Sequence, residues 1–197
     1  MTPASTALTA VAGGYLLGSI PWGLLLTRAA RGVDVRREGS GNIGATNVAR
    51  VAGMRVGLLV LALDAGKGAA AVGLAQTLAP ASATLPALAG LFAFAGHVAP
   101  VWLGFRGGKG VATALGVLTV LVPAAALAGV VVYLATLALT RMSSLGSLLA
   151  GPAALAAAGI RPGTRLAVGL TLVLYLGMLW THRGNIRRLV RRVERRL

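Results

Sequence analysis

The sequence has no cysteine and few charged residues, and these shortages exclude several classes of protein. The absence of cysteine among 197 residues excludes a disulfide-stabilised secreted domain and metal sites built on thiolates. Charged residues make up 12% of the chain and hydrophobic residues 56%, whereas soluble domains average about 25% and about 45–50%. So little polar material cannot cover a water-facing surface. The composition, with a mean hydropathy of +0.81, therefore predicts an integral membrane protein.

Acidic residues are the scarcest charged type, and this imbalance bears on possible partners. The chain has 19 Lys and Arg residues against 4 Asp and Glu, a net charge of +15. Such an excess in a soluble protein would indicate nucleic-acid binding. Here the basic residues lie between apolar blocks and at the C-terminus, which is typical of the cytoplasmic loops of membrane proteins. We therefore expect no nucleic-acid partner. We expect no cleaved signal peptide either, since no basic stretch precedes the first apolar block.

Apolar segments follow one another along the chain and predict an all-α membrane protein. The predicted spans cover residues 4–27, 56–79, 83–103, 111–123, 125–140, 148–160 and 164–181. Gly18 and Pro21 predict a kink in the first span. Residues 111–140 would form a helix of ~45 Å, too long for a ~30 Å hydrocarbon core, so we divide them near Pro123. We expect residues 1–197 to form a single membrane-embedded domain.

The distribution of basic residues sets the predicted number of spans. If residues 111–140 cross twice, all Lys and Arg residues except Arg161, Arg165 and Lys67 fall on one side. That side is the cytoplasm by the positive-inside rule. The rule therefore favours seven transmembrane helices, with the N-terminus outside and the C-terminus cytoplasmic. Five helices are the alternative, since some of the later spans are short.

The first polar segment, residues 39–50, reads GSGNIGATNVAR. Its glycines formally match G-x-G-x-x-G, but no strand precedes them, so a dinucleotide-binding fold is not predicted. Four short polar side chains accompany the glycines: Ser40, Asn42, Thr46 and Asn47. Together with accessible backbone N–H groups they form a nest for anionic oxygens, and Arg50 adds a bidentate donor. The alternative is a flexible linker that ends in a helix cap.

The second polar segment, residues 104–113, reads GFRGGKGVAT. It is not a Walker A loop, because Gly110 follows Lys109 where that motif needs Ser or Thr. It nevertheless places Gly107, Gly108 and a lysine directly before a predicted helix. A helix N-terminus with a nearby lysine is suited to bind an anion. A tight cytoplasmic turn with no ligand is the alternative.

Two further polar segments lie nearer the C-terminus. RMSSLGS, residues 141–147, offers three serines that could equally be helix caps. His182 and Asn185 are three residues apart and would share one face of a helix. In the seven-helix arrangement all four polar segments emerge on the cytoplasmic face, so we expect one composite site there.

Three ionisable residues fall inside predicted spans. Asp64 and Lys67 are three residues apart, so they are either functional candidates or an ion pair that neutralises itself in the apolar phase. For His97 we expect a structural or loop-positioning role. The loops hold too few acids to bind a metal or to orient a base beside Ser40. Electrostatic stabilisation and positioning remain as the catalytic tools.

The last residues show a basic amphipathic pattern. Apolar residues recur at helical spacing: Ile186, Leu189, Val190, Val193 and Leu197. Arginines fill the other face. The pattern predicts a helix that lies along the anionic inner leaflet and anchors the topology.

Five motifs follow one another in a characteristic order along the chain. They are GSGNIGATNVAR, DAGKG at 64–68, GHVAP with VWLGFRGGKGVAT at 96–113, RMSSLGS and HRGNIRRL. From Gly18 to Leu189 the sequence resembles the bacterial PlsY family of membrane glycerol-3-phosphate acyltransferases. The resemblance implies transfer of a fatty acyl group from acyl phosphate to the 1-position hydroxyl of glycerol 3-phosphate. The products would be lysophosphatidic acid, made in the first acylation step of phospholipid synthesis, and inorganic phosphate.

The resemblance also implies roles for single residues. The acyl-phosphate head would be bound by Ser40, Asn42, Thr46, Gly107, Gly108, Lys109 and Gly110. Glycerol 3-phosphate would be bound by Arg50, Lys109, Ser143, Ser144, His182 and Asn185. The catalytic set would be Ser40, Arg50, Lys109, His182 and Asn185. No metal and no cofactor are expected, since the oxygens of acyl phosphate can themselves take the proton.

The resemblance extends to partners and location. It implies a single acyltransferase domain in the bacterial inner membrane, in contact with membrane lipid, with its active site on the cytoplasmic side. A functional link to an enzyme that produces acyl phosphate is expected. The alternative function is a transporter of a phosphorylated metabolite, which would explain Asp64 and Lys67 but predicts more polar residues in the spans. A membrane scaffold would leave the glycine-lysine loop unexplained.

Overall fold

The computed structural model describes residues 2–160 and 165–197. All regular secondary structure in these residues is helical. The α-helices are α1 (Pro3–Ser19), α2 (Trp22–Arg31), α3 (Ala45–Ala52), α4 (Met54–Leu78), α5 (Thr84–Val98), α6 (Val111–Leu121), α7 (Pro123–Thr140), α8 (Ser143–Ala158), α9 (Arg165–Thr181) and α10 (Arg183–Val190). Short 3-10 helices cover Val35–Arg37 and Val101–Leu103. The chain divides into two compact units, Met1–Val117 and Leu118–Leu197.

Several helices have the length and apolarity of membrane spans. Within the described residues four qualify: Pro3–Arg31, Met54–Leu78, Thr84–Leu103 and Pro123–Thr140. A fifth arises if α9 and α10, which are bent by 63° to each other, count as one. The helices α6 and α8 are apolar but shorter. The all-helical membrane architecture agrees with the sequence, whereas the number of seven spans and the orientation of the termini stay predictions.

Prolines end helices where the sequence predicts. The first span breaks between Ser19 and Trp22, where Pro21 lacks the N–H group that a continuous helix needs. The long apolar stretch of residues 111–140 divides at Val122, and Pro123 begins α7. A proline at the first helical position loses nothing, because that N–H has no partner within the helix. Both predicted breaks are confirmed.

Three boundaries differ from the prediction. The polar segment after the first span contains α3 and a 3-10 turn and so is structured. The helix α8 begins at Ser143, five residues before the predicted start, so its serines belong to the first turns of a helix. The amphipathic helix predicted to reach Leu197 ends at Val190. Beyond it Arg192 has φ +57°, and the N–H of Leu197 donates to the Arg141 carbonyl at 2.8 Å, a contact that a continuing helix could not make.

Small residues let the helices of the first unit approach backbone to backbone. A Cβ on Gly18 of α1 would overlap the backbone of Ala93 in α5, and a Cβ on Gly68 of α4 would overlap the Thr113 carbonyl in α6. Helices in membranes pack through such contacts because hydrophobic exclusion cannot hold them together in lipid. Gly68 directly follows Lys67 in α4, so the contact with Thr113 brings the second polar segment close to the ionisable residues of α4.

Candidate active site

The first polar segment is held in shape by one buried carboxamide. Asn47, in α3, is 2% exposed. Its Oδ1 accepts the N–H of Ser40 at 2.8 Å. Its Nδ2 lies 3.3 Å from the carbonyl oxygen of Val35, 3.0 Å from that of Glu38 and 3.0 Å from that of Asn42. A single side chain thus ties the loop to the start of the helix that follows it.

The loop turns with the help of two glycines and a second asparagine. Gly39 and Gly41 have φ +58° and +73°, a region that side-chain-bearing residues avoid. The Asn42 Oδ1 accepts the N–H of Gly44 at 2.8 Å, immediately before α3. Among the described residues no side chain caps the amino-terminal end of α3 at Gly44, so the contact that Asn42 makes is a turn within the loop. It accounts for one side chain of the segment and is compatible with ligand binding by the others.

The remaining polar residues of the segment lie at its surface. Ser40 is exposed at the turn, Thr46 is half-buried in the first turn of α3, and Arg50 is exposed. Thr46 and Arg50 are four residues apart on α3 and therefore lie on one side of it. Ser40 and Thr46 lie beside the amino-terminal end of α3, where the helix dipole favours an anion. Arg50 lies in the last turn of α3.

Asp34 neutralises two arginines that precede this loop. Its carboxylate lies 2.6 Å from Arg36 Nη2 and 3.2 Å from Arg28 Nη2. The hydrogen bond from Arg36 holds the pKa of Asp34 well below its usual value, and the pKa of Arg36 is raised in return. The ion pairs consequently persist through the whole physiological range of pH.

The second polar segment lies against the end of α5. The N–H groups of Gly107 and Gly108 donate to the carbonyls of Val98 and His97, each at 3.0 Å. A Cβ on Gly108 would overlap the His97 ring. Since both amides are engaged by α5, these glycines contribute close approach of the backbone. The positive groups of the segment are the exposed Arg106, the half-buried Lys109 and the amino-terminal end of α6.

The ionisable residues of the first unit's interior form one cluster. Lys67 Nζ lies 2.8 Å from Asp64 Oδ1, and His97 Nδ1 lies 3.6 Å from the same oxygen. Lys67 Nζ also donates to the Ile20 carbonyl at 2.9 Å. The predicted ion pair between Asp64 and Lys67 is confirmed, and His97 is its neighbour.

In the second unit, Ser144 and Asn185 share a partner that the sequence analysis did not single out. Glu194 Oε1 accepts hydrogen bonds from Ser144 Oγ at 2.9 Å and from Asn185 Nδ2 at 2.7 Å. Arg188 Nε donates to Glu194 Oε2 at 2.8 Å. A carboxylate therefore lies where Ser144, Asn185 and Arg188 converge, which shows that these three groups can together bind an anionic oxygen pair.

His182 and Ser143 are buried beside them in the same unit. His182 Nδ1 lies 2.8 Å from the Met178 carbonyl, which can only accept, so Nδ1 carries the proton. Ser143 Oγ lies 2.9 Å from the Tyr133 hydroxyl. His182 and Asn185 are both buried at the start of α10, as their spacing predicts. The second unit thus brings together all four residues that the sequence places in it.

Through Glu194, the stability of the fold depends on pH. Burial alone would raise the pKa of its carboxyl, but the hydrogen bonds from Asn185, Ser144 and Arg188 outweigh burial and lower the pKa below 4.5. A lowered pKa in the folded state means that the ionised carboxylate stabilises the fold above pH 4.5, and that this contribution is lost as the pH falls through the lowered value.

Glu194→Gln is therefore expected to lower the free energy of unfolding at pH 7 by about 1–3 kcal/mol, the range for charged hydrogen bonds. The difference from the unsubstituted protein should shrink as the pH falls through the lowered pKa of Glu194, below which both side chains are uncharged. Thermal unfolding in detergent at several pH values measures it. Glu38→Gln, at an exposed acid, is the control. An unchanged melting temperature of Glu194→Gln at pH 7 would contradict the role of this carboxylate.

Metal ligands are sparse in the parts of the chain that the structure describes. Residues 2–160 and 165–197 contain no group of three or more His, Cys, Asp or Glu side chains that could hold a metal ion. The polar groups that converge here are hydroxyls, carboxamides, an imidazole and cations. Such groups suit an oxyanion or phosphate.

The comparison with protein families decides among the functions considered. The family model described as glycerol-3-phosphate acyltransferase matches residues 8–192. The chain belongs to this family. The glycerol-3-phosphate acyltransferase of Myxococcus xanthus DK1622 is 60% identical over 183 residues, covering 93% of this chain and 95% of the relative. That of Anaeromyxobacter dehalogenans 2CP-C is 50% identical over the full length of both chains.

Two solved structures agree with this family. A crystal structure of PlsY, an integral membrane glycerol 3-phosphate acyltransferase in its glycerol 3-phosphate form, is 38% identical with a TM-score of 0.91. The match covers 97% of this chain and 95% of the PlsY chain. The lysophosphatidic acid form of PlsY is 37% identical with a TM-score of 0.89. Membership in this acyltransferase family places the chain apart from transporters and scaffolds.

The sequence pattern assigns Asn47 to the anion nest, whereas the structure buries it, and the pattern gives Glu194 no role. Asn47 was grouped with the other polar side chains of its motif, and only its burial distinguishes it from Asn42. Glu194 was placed in a basic tail, although it is the one acid among the arginines from Arg183 onward. A lone acid in an otherwise basic segment is a signal that could have drawn attention to it.

Proposed function

We propose that this acyltransferase uses acyl phosphate and acylates the sn-1 hydroxyl of glycerol 3-phosphate. The hydroxyl oxygen forms an ester bond with the acyl carbon as the bond between that carbon and the phosphate oxygen breaks. The phosphate leaves as inorganic phosphate with the proton of the hydroxyl, and lysophosphatidic acid results. The family membership carries this proposal, and the glycerol 3-phosphate and lysophosphatidic acid forms of PlsY support it.

In the first unit, we assign the acyl-phosphate head to the two polar segments. Ser40 and Thr46 lie near the start of α3, beside the turn that Asn42 closes. Lys109 and Gly110 lead into α6, and Gly107 and Gly108 shape the backbone before them. Lys109 stabilises negative charge that develops on the leaving phosphate. Arg50 binds the phosphate of glycerol 3-phosphate in bidentate fashion. Neither role needs a covalent intermediate.

In the second unit, we assign Ser143, Ser144, His182 and Asn185 to glycerol 3-phosphate. The convergence of Ser144 and Asn185 on the Glu194 carboxylate supports an affinity of these groups for anionic oxygen. His182, with its proton on Nδ1, presents Nε2 as an acceptor when neutral. That nitrogen is suited to orient a substrate hydroxyl.

We further propose seven membrane spans. They are the four long helices, α9, and the shorter α6 and α8. The N-terminus lies outside and the C-terminus in the cytoplasm, in the bacterial inner membrane, with residues 1–197 acting as one acyltransferase domain. An enzyme that produces acyl phosphate supplies the donor. The basic residues of the polar segments support this orientation.

The donor is tested by assay of the purified protein in lipid. With acyl phosphate and labelled glycerol 3-phosphate we expect lysophosphatidic acid and inorganic phosphate in equal amounts, since the phosphate is the leaving group. Acyl-coenzyme A should not replace acyl phosphate, and a chelator should not inhibit. Equal activity with acyl-coenzyme A, or inhibition by chelator that a divalent cation reverses, would contradict the proposal.

The orientation is tested by cysteine labelling. Because the chain has no cysteine, each introduced cysteine is the single reactive thiol. Single cysteines at Ser40, Arg106, Arg141 and Gly184, which are all exposed, should react with a membrane-impermeant reagent only after the cytoplasmic side is exposed. Leu8, which is exposed in α1, is the control position near the outer end. Labelling of any of the four positions in intact cells would show that the orientation is wrong.

A further inference from the structure

The interior of the first unit contains three ionisable side chains that none of the proposed substrate contacts uses. Asp64, Lys67 and His97 are 1%, 5% and 4% exposed and lie on the membrane helices α4 and α5. Buried charges are costly to remove from water, and those retained inside membrane helices usually serve a function. Their position beside the second polar segment indicates what that function is.

The ion pair connects three backbone segments. Asp64 and Lys67 lie one turn apart on α4, with 2.8 Å between Lys67 Nζ and Asp64 Oδ1. The same Nζ donates to the Ile20 carbonyl at 2.9 Å, where α1 ends and α2 has yet to begin. His97 Nδ1, from the last turn of α5, lies 3.6 Å from Asp64 Oδ1. At that distance the contact is electrostatic, because it exceeds a hydrogen bond.

His97 links the ion pair to the second polar segment. Its carbonyl accepts the N–H of Gly108 at 3.0 Å, and its ring occupies the space that a Cβ on Gly108 would need. The ring therefore has Asp64 near Nδ1 and the backbone of Gly108 packed against it. Any rotation of the ring would move the backbone immediately before Lys109.

We propose that Asp64 and Lys67 are positioning residues that act through the His97 ring to fix the Gly107–Gly110 segment, and with it the Lys109 ammonium. The ion pair holds the imidazole from one side, and the close-packed glycine backbone follows the imidazole on the other. The consequence for catalysis rests on the proposed function, which assigns Lys109 to the leaving phosphate. The fixation of the Gly107–Gly110 segment does not depend on the proposed function.

The test compares two variants on α4. Asp64→Asn/Lys67→Met removes both charges, because removing one alone would leave the other buried without compensation. The matched control is Val72→Ala, a fully buried residue on the same helix that packs against Gly90 of α5. It weakens the packing of α4 on α5 but leaves the ion pair and His97 in place.

Mobility of the segment is the first measurement. A spin label on Arg106→Cys, which is exposed and adjacent to Gly107, reports it without any substrate. The double variant should show a more mobile label than the parent, and Val72→Ala should not. The second measurement is kinetic. We expect kcat to fall on the order of 10–10²-fold, as for a misplaced catalytic group, with the KM for glycerol 3-phosphate changed less than threefold in the double variant.

His97→Asn covers the case in which the double variant fails to fold. It retains the ion pair but removes the ring that packs against Gly108, and it should raise the label's mobility equally. Unchanged mobility in the variants that fold, or an equal rise in Val72→Ala, would overturn the proposal. Failure of the parent protein to use acyl phosphate would overturn the proposed donor alone, because the label is read without substrate.

Discussion

Lys109→Ala is expected to lower kcat by about 10²–10³-fold, the cost of removing one preorganised charged donor. Lys109 is half-buried immediately before α6, and in the proposed mechanism its ammonium acts with the positive end of that helix on the leaving phosphate. Folding and membrane insertion should survive, since Gly107 and Gly108 are held through backbone hydrogen bonds. Turnover with acyl phosphate and the amount of folded protein in detergent are the measurements.

The control for Lys109 is Arg106→Ala, which removes a positive charge three residues earlier from an exposed position. Its turnover should stay within about twofold of the parent, because an exposed charge is screened by water and salt. Near-parental turnover of well-folded Lys109→Ala would assign the whole segment to membrane topology alone. An equal loss in both variants would indicate a general effect of charge.

Asn47→Leu should have a comparable effect on activity together with a large effect on stability. The change keeps the size of the side chain but removes the hydrogen bond from the Ser40 N–H and the two that the Nδ2 protons donate among the carbonyls of Val35, Glu38 and Asn42. Each is worth about 1 kcal/mol, and buried carbonyls left without a partner add about 1–3 kcal/mol. We therefore expect a loss of several kcal/mol and at least about 10²-fold lower turnover, since Ser40 and Thr46 lose their placement. Thermal unfolding and turnover measure the two effects.

Thr27→Val provides the matched control for Asn47→Leu. Thr27 is as deeply buried in the first unit, yet its Oγ1 has no hydrogen-bond partner in the described part of the chain. Replacing that hydroxyl by a methyl group should leave the melting temperature unchanged or raise it slightly, since nothing is lost but a desolvated polar atom. Parental stability and turnover of Asn47→Leu would mean that the loop is held by other contacts.

Local chemistry explains which parts of the fold the sequence predicts well. Pro21 precedes the start of α2 and Pro123 begins α7, because the effect of the missing N–H is felt within one turn of the chain. The start of α8 at Ser143 was missed because hydropathy locates the apolar part of a helix and says little about its polar first turn. The tail satisfies helical periodicity up to Leu197, but Glu194 binds Ser144 and Asn185 instead. Such contacts between distant residues leave no local pattern.

The site shows the same division between local and distant causes. The motifs identify Ser40, Thr46 and Lys109 as polar groups beside helix starts, and the helices α3 and α6 do begin there. Which of two asparagines turns inward depends on how the backbone folds around the positive φ angles of the glycines, so the sequence could not separate Asn47 from Asn42. The amides of Gly107 and Gly108 face the carbonyls of α5, a partner that lies outside their own segment.

The glycine contacts between α1 and α5 bear on how tolerance to substitution is interpreted in this family. A side chain at Gly18 would meet the backbone of Ala93, and two helices cannot move apart there without disturbing every neighbour. Libraries of random substitutions selected for growth should therefore be depleted at Gly18 as strongly as at Lys109. Intolerance at a position thus reports the closeness of two backbones as readily as it reports contact with a substrate.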